Sequence, residues 1–133
     1  MYTISKTFLL CYGHRHLGVD HPCRHLHGHN GKVTIALQAE QLDAKGVVVD
    51  FNDLKKTIGQ WIADHLDHTM ILSESDPILP ALRTAGERVL AVPFNPTSEN
   101  LARYIFEKAC TLGLKVQRVD FWESETGRAT YGA

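Results

Sequence analysis

His27-Gly28-His29-Asn30-Gly31-Lys32-Val33-Thr34-Ile35-Ala36-Leu37-Gln38-Ala39 is the stretch whose reading decides the fold. From Gly31 to Ala39 apolar and polar residues alternate, the period of a strand with one buried face. If the chain is already extended upstream, His27 and His29, at i and i+2, project from one face. Gly28 between them leaves room for a metal or ligand to approach the backbone. Chemistry and architecture are thus written into the same strand.

The rest of the chain arranges itself around this strand. Tyr2 to Cys11 is rich in β-branched and aromatic residues and reads as a strand. Tyr12 to Asn30 reads as a loop that becomes extended at its end. Asp43-Ala44-Lys45-Gly46 is a turn signal, which makes Val47 to Asp50 a return strand of an antiparallel hairpin. Leu54, Ile58, Trp61, Ile62 and Leu66 define one apolar face of a helix from Asn52 to Leu66, capped by Asp50 or Asn52. Ile71 to Asn95 is irregular, with Pro77, Pro80, Gly86 and Pro93 and at most a helical turn at Ala81 to Arg83. Thr97 or Ser98 caps a second helix, whose stripe is Leu101, Ile105, Ala109 and Leu112 and whose end is marked by Gly113. Leu114 to Ser124 is the last strand. The expectation is one α+β domain over residues 1–133, an antiparallel four-stranded sheet with two helices packed on one face.

Composition narrows the function. Fourteen Lys and Arg against fifteen Asp and Glu give a net charge of −1, which argues against a nucleic-acid surface. A hydrophobic content of 44% with 22% charged residues excludes disorder as the main state. No apolar run reaches the ~18 residues of a membrane span, and the first residues lack a signal-peptide h-region, so a cytoplasmic location is expected. Three cysteines, Cys11, Cys23 and Cys110, have no paired spacing and read as reduced thiols.

Six of the eight histidines lie between His14 and His29. Three neutral imidazoles, His14, His27 and His29, suit Zn²⁺ and leave a fourth position open, as in catalytic sites. His16, His21 and His25 are either solvated bystanders or competing ligands. Cys23, four residues before His27, is placed for thiolate chemistry near a dication. Asp67-His68 is either a carboxylate fixing an imidazole for acid/base work or a surface acid beside a histidine at a helix end. Glu123 closes the last strand as an ion-pair partner or a ligand anchor.

Cys23-Arg24-His25-Leu26-His27-Gly28-His29 resembles the Cys-x-x-x-His-Gly-His motif of the 6-pyruvoyl-tetrahydropterin synthase and 6-carboxytetrahydropterin synthase family. Four more blocks agree in order: Val49 to Lys55, Leu66-Asp67-His68, Asn95 to Ala102, and Trp122-Glu123-Ser124 running on to Tyr131. The resemblance implies a T-fold, and homo-oligomers, usually hexamers, with active sites between subunits. It implies zinc on His14, His27 and His29, with Cys23 as proton acceptor and Asp67 and His68 as a relay pair. It also implies that Glu123 anchors the pterin ring and takes part in the relay, and that Thr97, Ser98 and Glu99 line the pterin pocket. The implied substrate is 7,8-dihydroneopterin triphosphate. The favoured product is 6-carboxy-5,6,7,8-tetrahydropterin, on the route to queuosine; the alternatives are 6-pyruvoyl-tetrahydropterin and a non-catalytic zinc- or pterin-binding protein. The chain departs from the family's Ala-Ala-His at Tyr12-Gly13-His14, where His16 competes as first ligand.

Overall fold

The computed structural model describes residues 1–132. Its spine is a long antiparallel pair, β1 (Tyr2–His14) and β2 (His27–Ala39), in register from Tyr2 opposite Ala39 to His14 opposite His27. The strand read from Gly31 does extend back through His27, and β1 runs three residues past Cys11 to His14. On the far side of β2 lie β5 (Val116–Trp122) and then β6 (Arg128–Gly132), both antiparallel. On the far side of β1 lie β3 (Thr69–Ser73) and then β4 (Val89–Val92), both parallel to their neighbours.

The sheet therefore has six strands in the order β4-β3-β1-β2-β5-β6, not four, and it is mixed. Three corrections account for the difference. Val47 to Asp50 makes no strand, because β1 and β5 already occupy both edges of β2. Asp43 to Gly46 still forms the turn, with the Asp43 carboxylate accepting from the amides of Lys45 and Val47. The stretch from Ile71 to Asn95 is ordered rather than irregular: β3 leads through a helix, α3 (Leu79–Thr84), to β4, a parallel crossover. Lastly, the final expected strand stops at Trp122 and the chain turns back as β6.

Before β3, residues 51–65 form the first expected helix as α1 (Phe51–Leu54), a π turn (Lys55–Gly59) and α2 (Gln60–His65), capped by the Asp50 side chain on the Asn52 amide. A Cβ at Gly59 would meet the Phe8 ring at 2.5 Å, so glycine is what lets the π turn lie against β1. The second expected helix is α4 (Ser98–Thr111), with Thr97 as N-cap and Gly113, at φ 87°, following its C-cap.

Both long helical segments cover one face of the sheet. Leu54, Ile58, Ile62 and Leu66 from the first, and Leu101, Ile105 and Ala109 from α4, meet Leu10, Val33, Ile35, Val119 and Phe121 from the strands. Strand alternation carries this covered face through Tyr12, His14, His27 and His29 to the end of the sheet. Leu9, Cys11, Gly13, Asn30 and Lys32 fall on the opposite, open face, where Leu9 is 76% exposed.

Candidate active site and metal centre

Where β1 ends and β2 begins, His14 and His27 are directly paired and His29 is opposite Tyr12. Glu123, one residue beyond β5, follows buried Phe121 on the same face. One ligand atom from each of His14, His27, His29 and Glu123 falls within 4.8 Å of the others, a group able to hold a metal ion. His16, by contrast, lies outside this group, although its ring sits 5.1 Å from that of His14.

The protonation pattern follows from the partners. Nδ1 of His14 donates to the Pro96 carbonyl at 2.8 Å, and Nδ1 of His27 donates to the His25 carbonyl at 2.7 Å. A carbonyl can only accept, so both rings carry their proton on Nδ1 when neutral and turn an Nε2 lone pair inward. Nε2 of His27 is buried with no hydrogen-bond partner among the described residues. Nε2 of His14 lies 3.1 Å from Nε2 of His29 and 3.2 Å from Oε1 of Glu123, and His29 Nε2 lies 2.8 Å from that same oxygen. A single proton on His29 cannot satisfy all these acceptors; a dication satisfies them together. Three imidazole nitrogens, those of His14 and His27 oriented by backbone carbonyls behind the rings, fit Zn²⁺, with the Glu123 carboxylate beside them.

Electrostatics point the same way. Burial, reinforced by the neighbouring His27, lowers the His14 pKa to about 4 despite the Pro96 carbonyl, which pulls the other way. Burial also lowers His29. Neutral imidazoles are the ligating form. Tyr12 packs edge-on to His14 and Phe121 and is tilted against His29. Its buried hydroxyl has no partner, and burial, then the Glu123 charge, raise its pKa.

The segment before α4 closes the site. Pro96 holds His14, and Asn95 accepts from the Leu17 amide through its side chain and from the Asn100 side chain through its carbonyl. Ser98 Oγ reaches the second oxygen of Glu123 at 3.5 Å. The Thr97 hydroxyl is engaged in capping α4, accepting from the Asn100 amide, and Glu99 is exposed in the first turn. Beside the site, Arg15 is held to buried Asp76 by a two-pronged pair, with Nε to Oδ2 at 2.8 Å.

Asp67 and His68 lie elsewhere. They follow α2 and meet β1 at Cys11: the Asp67 carboxylate accepts from the Cys11 amide at 2.8 Å and from His68 Nδ1 at 3.0 Å. Burial would raise the Asp67 pKa, but the Cys11 amide and the His68 ring together hold it below its ordinary value. His68 has φ 54°, in the left-handed region that histidine tolerates better than most residues. The pair adjoins Cys11, on the open face, whereas the histidine group is on the covered face. A pocket of about 500 Å³ opens there, and it reaches the histidine group: Cys11, Asn30 and His68 line it together with Tyr12, His27 and His29. Cys23 stands apart from both groups, half-buried in a 3-10 turn (Pro22–Arg24), with its carbonyl accepting from the His16 amide.

Sequence reading named the three histidines and Glu123 but missed that the carboxylate joins the histidines. It also missed Tyr12 as their packing partner and Cys11 beside Asp67 and His68. The β2–β5 register, with Val33 opposite Phe121, is what brings Glu123 to His29, and no local pattern encodes it.

Known proteins resemble this chain in sequence and fold. The family model for 6-pyruvoyl tetrahydropterin synthase matches residues 3–133. The 6-carboxy-5,6,7,8-tetrahydropterin synthase of Haemophilus influenzae is 30% identical, covering 98% of this chain and 99% of its own. That of Aquifex aeolicus is also 30% identical, covering 96% of each. Among solved structures, an uncharacterised protein of Wolinella succinogenes superposes with a TM-score of 0.83 at 31% identity, over 98% of this chain and 97% of that one. The 6-pyruvoyl tetrahydropterin synthase of Caenorhabditis elegans shares the fold, with a TM-score of 0.74 at 23% identity, over 99% and 95% of the two chains. With the motifs, the fold and near end-to-end similarity in agreement, the chain belongs to the 6-pyruvoyl tetrahydropterin synthase family.

Proposed function

We propose that the protein is a zinc-dependent 6-carboxy-5,6,7,8-tetrahydropterin synthase. It would convert 7,8-dihydroneopterin triphosphate to the carboxy product with release of acetaldehyde and triphosphate, a step toward queuosine. The observation that carries this reading is the convergence of His14, His27 and His29 with Glu123, in a chain whose end-to-end relatives carry that enzyme's name.

Zinc held by His14, His27 and His29 would supply a Lewis acid for the hydroxyls of the pterin side chain. Glu123, one oxygen near Ser98, accepts hydrogen bonds from the amino and ring N–H groups of the pterin and fixes its orientation. Thr97 and Glu99, at the start of α4, would line the pterin pocket in this reading. Cys23 accepts the proton from one side of the substrate. Asp67 orients His68 as the acid/base on the other side.

The separation of these groups into two clusters favours a second copy. Asp67 and His68 cluster with Cys11, outside the group formed by His14, His27, His29 and Glu123. We infer a homo-oligomer, a hexamer in the family pattern, in which one subunit's open face meets the metal centre of the next. No helix among the described residues is long and apolar enough to cross a membrane, and the reading places the enzyme in the cytoplasm.

The test is mass spectrometry of the products formed by zinc-loaded protein from 7,8-dihydroneopterin triphosphate. The expected products are the 6-carboxy pterin and acetaldehyde. The 6-pyruvoyl pterin alone, or no turnover, would contradict the reading.

A further inference from the structure

On the open face, Cys11, Asp67 and His68 bring a sulfur, a carboxylate oxygen and an imidazole nitrogen within 4.8 Å of one another. This is a mixed soft and borderline donor set, unlike the histidine group on the covered face. Tetrahedral Zn²⁺ places such donors about 3.5 Å apart, given bonds of roughly 2.3 Å to sulfur and 2.0–2.1 Å to nitrogen or oxygen. The remaining movement of about an ångström falls to His68, whose side chain is 72% exposed and, among the described residues, held only by Asp67, itself a proposed ligand. The carboxylate is already fixed from behind by the Cys11 amide. A pocket of about 460 Å³, lined also by Lys32 and Glu125, gives an ion access.

We propose that Cys11, Asp67 and His68 form a second divalent-metal site, selective for thiophilic ions such as Zn²⁺, Co²⁺ and Cd²⁺, and that its occupation inhibits the enzyme. On binding, the Cys11 thiol gives its proton to solvent and the thiolate bonds the metal. Binding also takes His68 and Asp67 out of proton transfer, so zinc above one equivalent lowers turnover. The inhibition rests on the proposed function; the binding does not.

Cobalt titration of the metal-stripped full-length protein tests the binding. The expectation is two equivalents per chain, with a thiolate-to-cobalt charge-transfer band in the near ultraviolet that grows only with the second. Cys11→Ser should abolish the band and the second equivalent while keeping the first, and Cys23→Ser should keep both. His68→Ala, a change at an exposed side chain, should abolish the band as well and guards against a folding defect in Cys11→Ser. His29→Ala should lose the first equivalent and keep the band, so failure of the histidine centre is seen separately. Saturation at one equivalent in the unmodified protein, or a band that survives either Cys11→Ser or His68→Ala, would overturn the proposal.

Discussion

The Pro96 carbonyl accepts a hydrogen bond from Nδ1 of His14 at 2.8 Å, joining the last residue of β1 to the residue just before the N-cap of α4. That bond fixes the tautomer of a fully buried ring and aims its Nε2 at Glu123. The entry of α4 and the orientation of the His14 ring are thus one structural feature.

His14→Ala should abolish stoichiometric zinc binding and cost about 2 kcal/mol of stability, because the buried Pro96 carbonyl loses its donor. His16→Ala, outside the group of four, should keep the metal. Metal analysis with urea denaturation of both variants checks this, and zinc retained in His14→Ala with loss in His16→Ala would reverse the ligand assignment.

The metal-stripped protein should lose stability as pH falls. The folded His14 pKa, about 4, lies below its ordinary 6.5, so the unfolded chain binds that proton more readily. There is no penalty above pH 6.5; it grows as pH falls and is complete below about 4. For His14 alone it is on the order of 3 kcal/mol. Thermal melts of the metal-stripped protein across that window should show the decline, and zinc should oppose it until protons displace the metal. Melting temperatures independent of pH would show that the rings are not buried as neutral groups.

Much of this was legible in the chain. The helices at residues 51–65 and 98–111 follow from stripes such as Leu54, Ile58 and Ile62, which repeat at the helical period. The pairing of His27 and His29 on one face follows from strand alternation. β3 and β4 were hidden because they are five and four residues long, lie among prolines, and pair in parallel with strands distant in sequence. Val47 to Asp50 looked like a strand because Val48 and Val49 pack on the core, yet no free edge of β2 remains to receive them. The separation of Asp67 and His68 from the histidines depends on β3 joining β1 beside Cys11, which no motif records.

Cys23→Ala should lower kcat by roughly 10²-fold or more with zinc content still near one, the size of a lost proton-transfer group. Cys11→Ala should affect stability more than rate. Full turnover in Cys23→Ala, or loss of its metal, would remove the thiol from the base role.

Asp76→Asn should destabilise the protein by about 3 kcal/mol, since Asp76 is buried and is the partner of Arg15, beside His14. Arg15 holds the Asp76 pKa low, so this stabilisation is present at neutral pH and is lost as pH falls through the depressed value. Denaturation midpoints of the two proteins at neutral and acidic pH should converge on acidification; a constant difference would mean the charge of Asp76 is not what matters.

The account's central claim is that the histidine centre and the Asp67–His68 pair, two separate clusters of one chain, act together only between chains. Subunit exchange between His29→Ala and His68→Ala proteins, each expected to be inactive alone, tests it most directly. If each site joins two chains, an equal mixture should regain roughly a quarter of unmodified turnover, the share of junctions that unite two intact halves in a symmetric assembly. A mixture that exchanges subunits and stays inactive would show that each chain builds its site alone and would contradict the account.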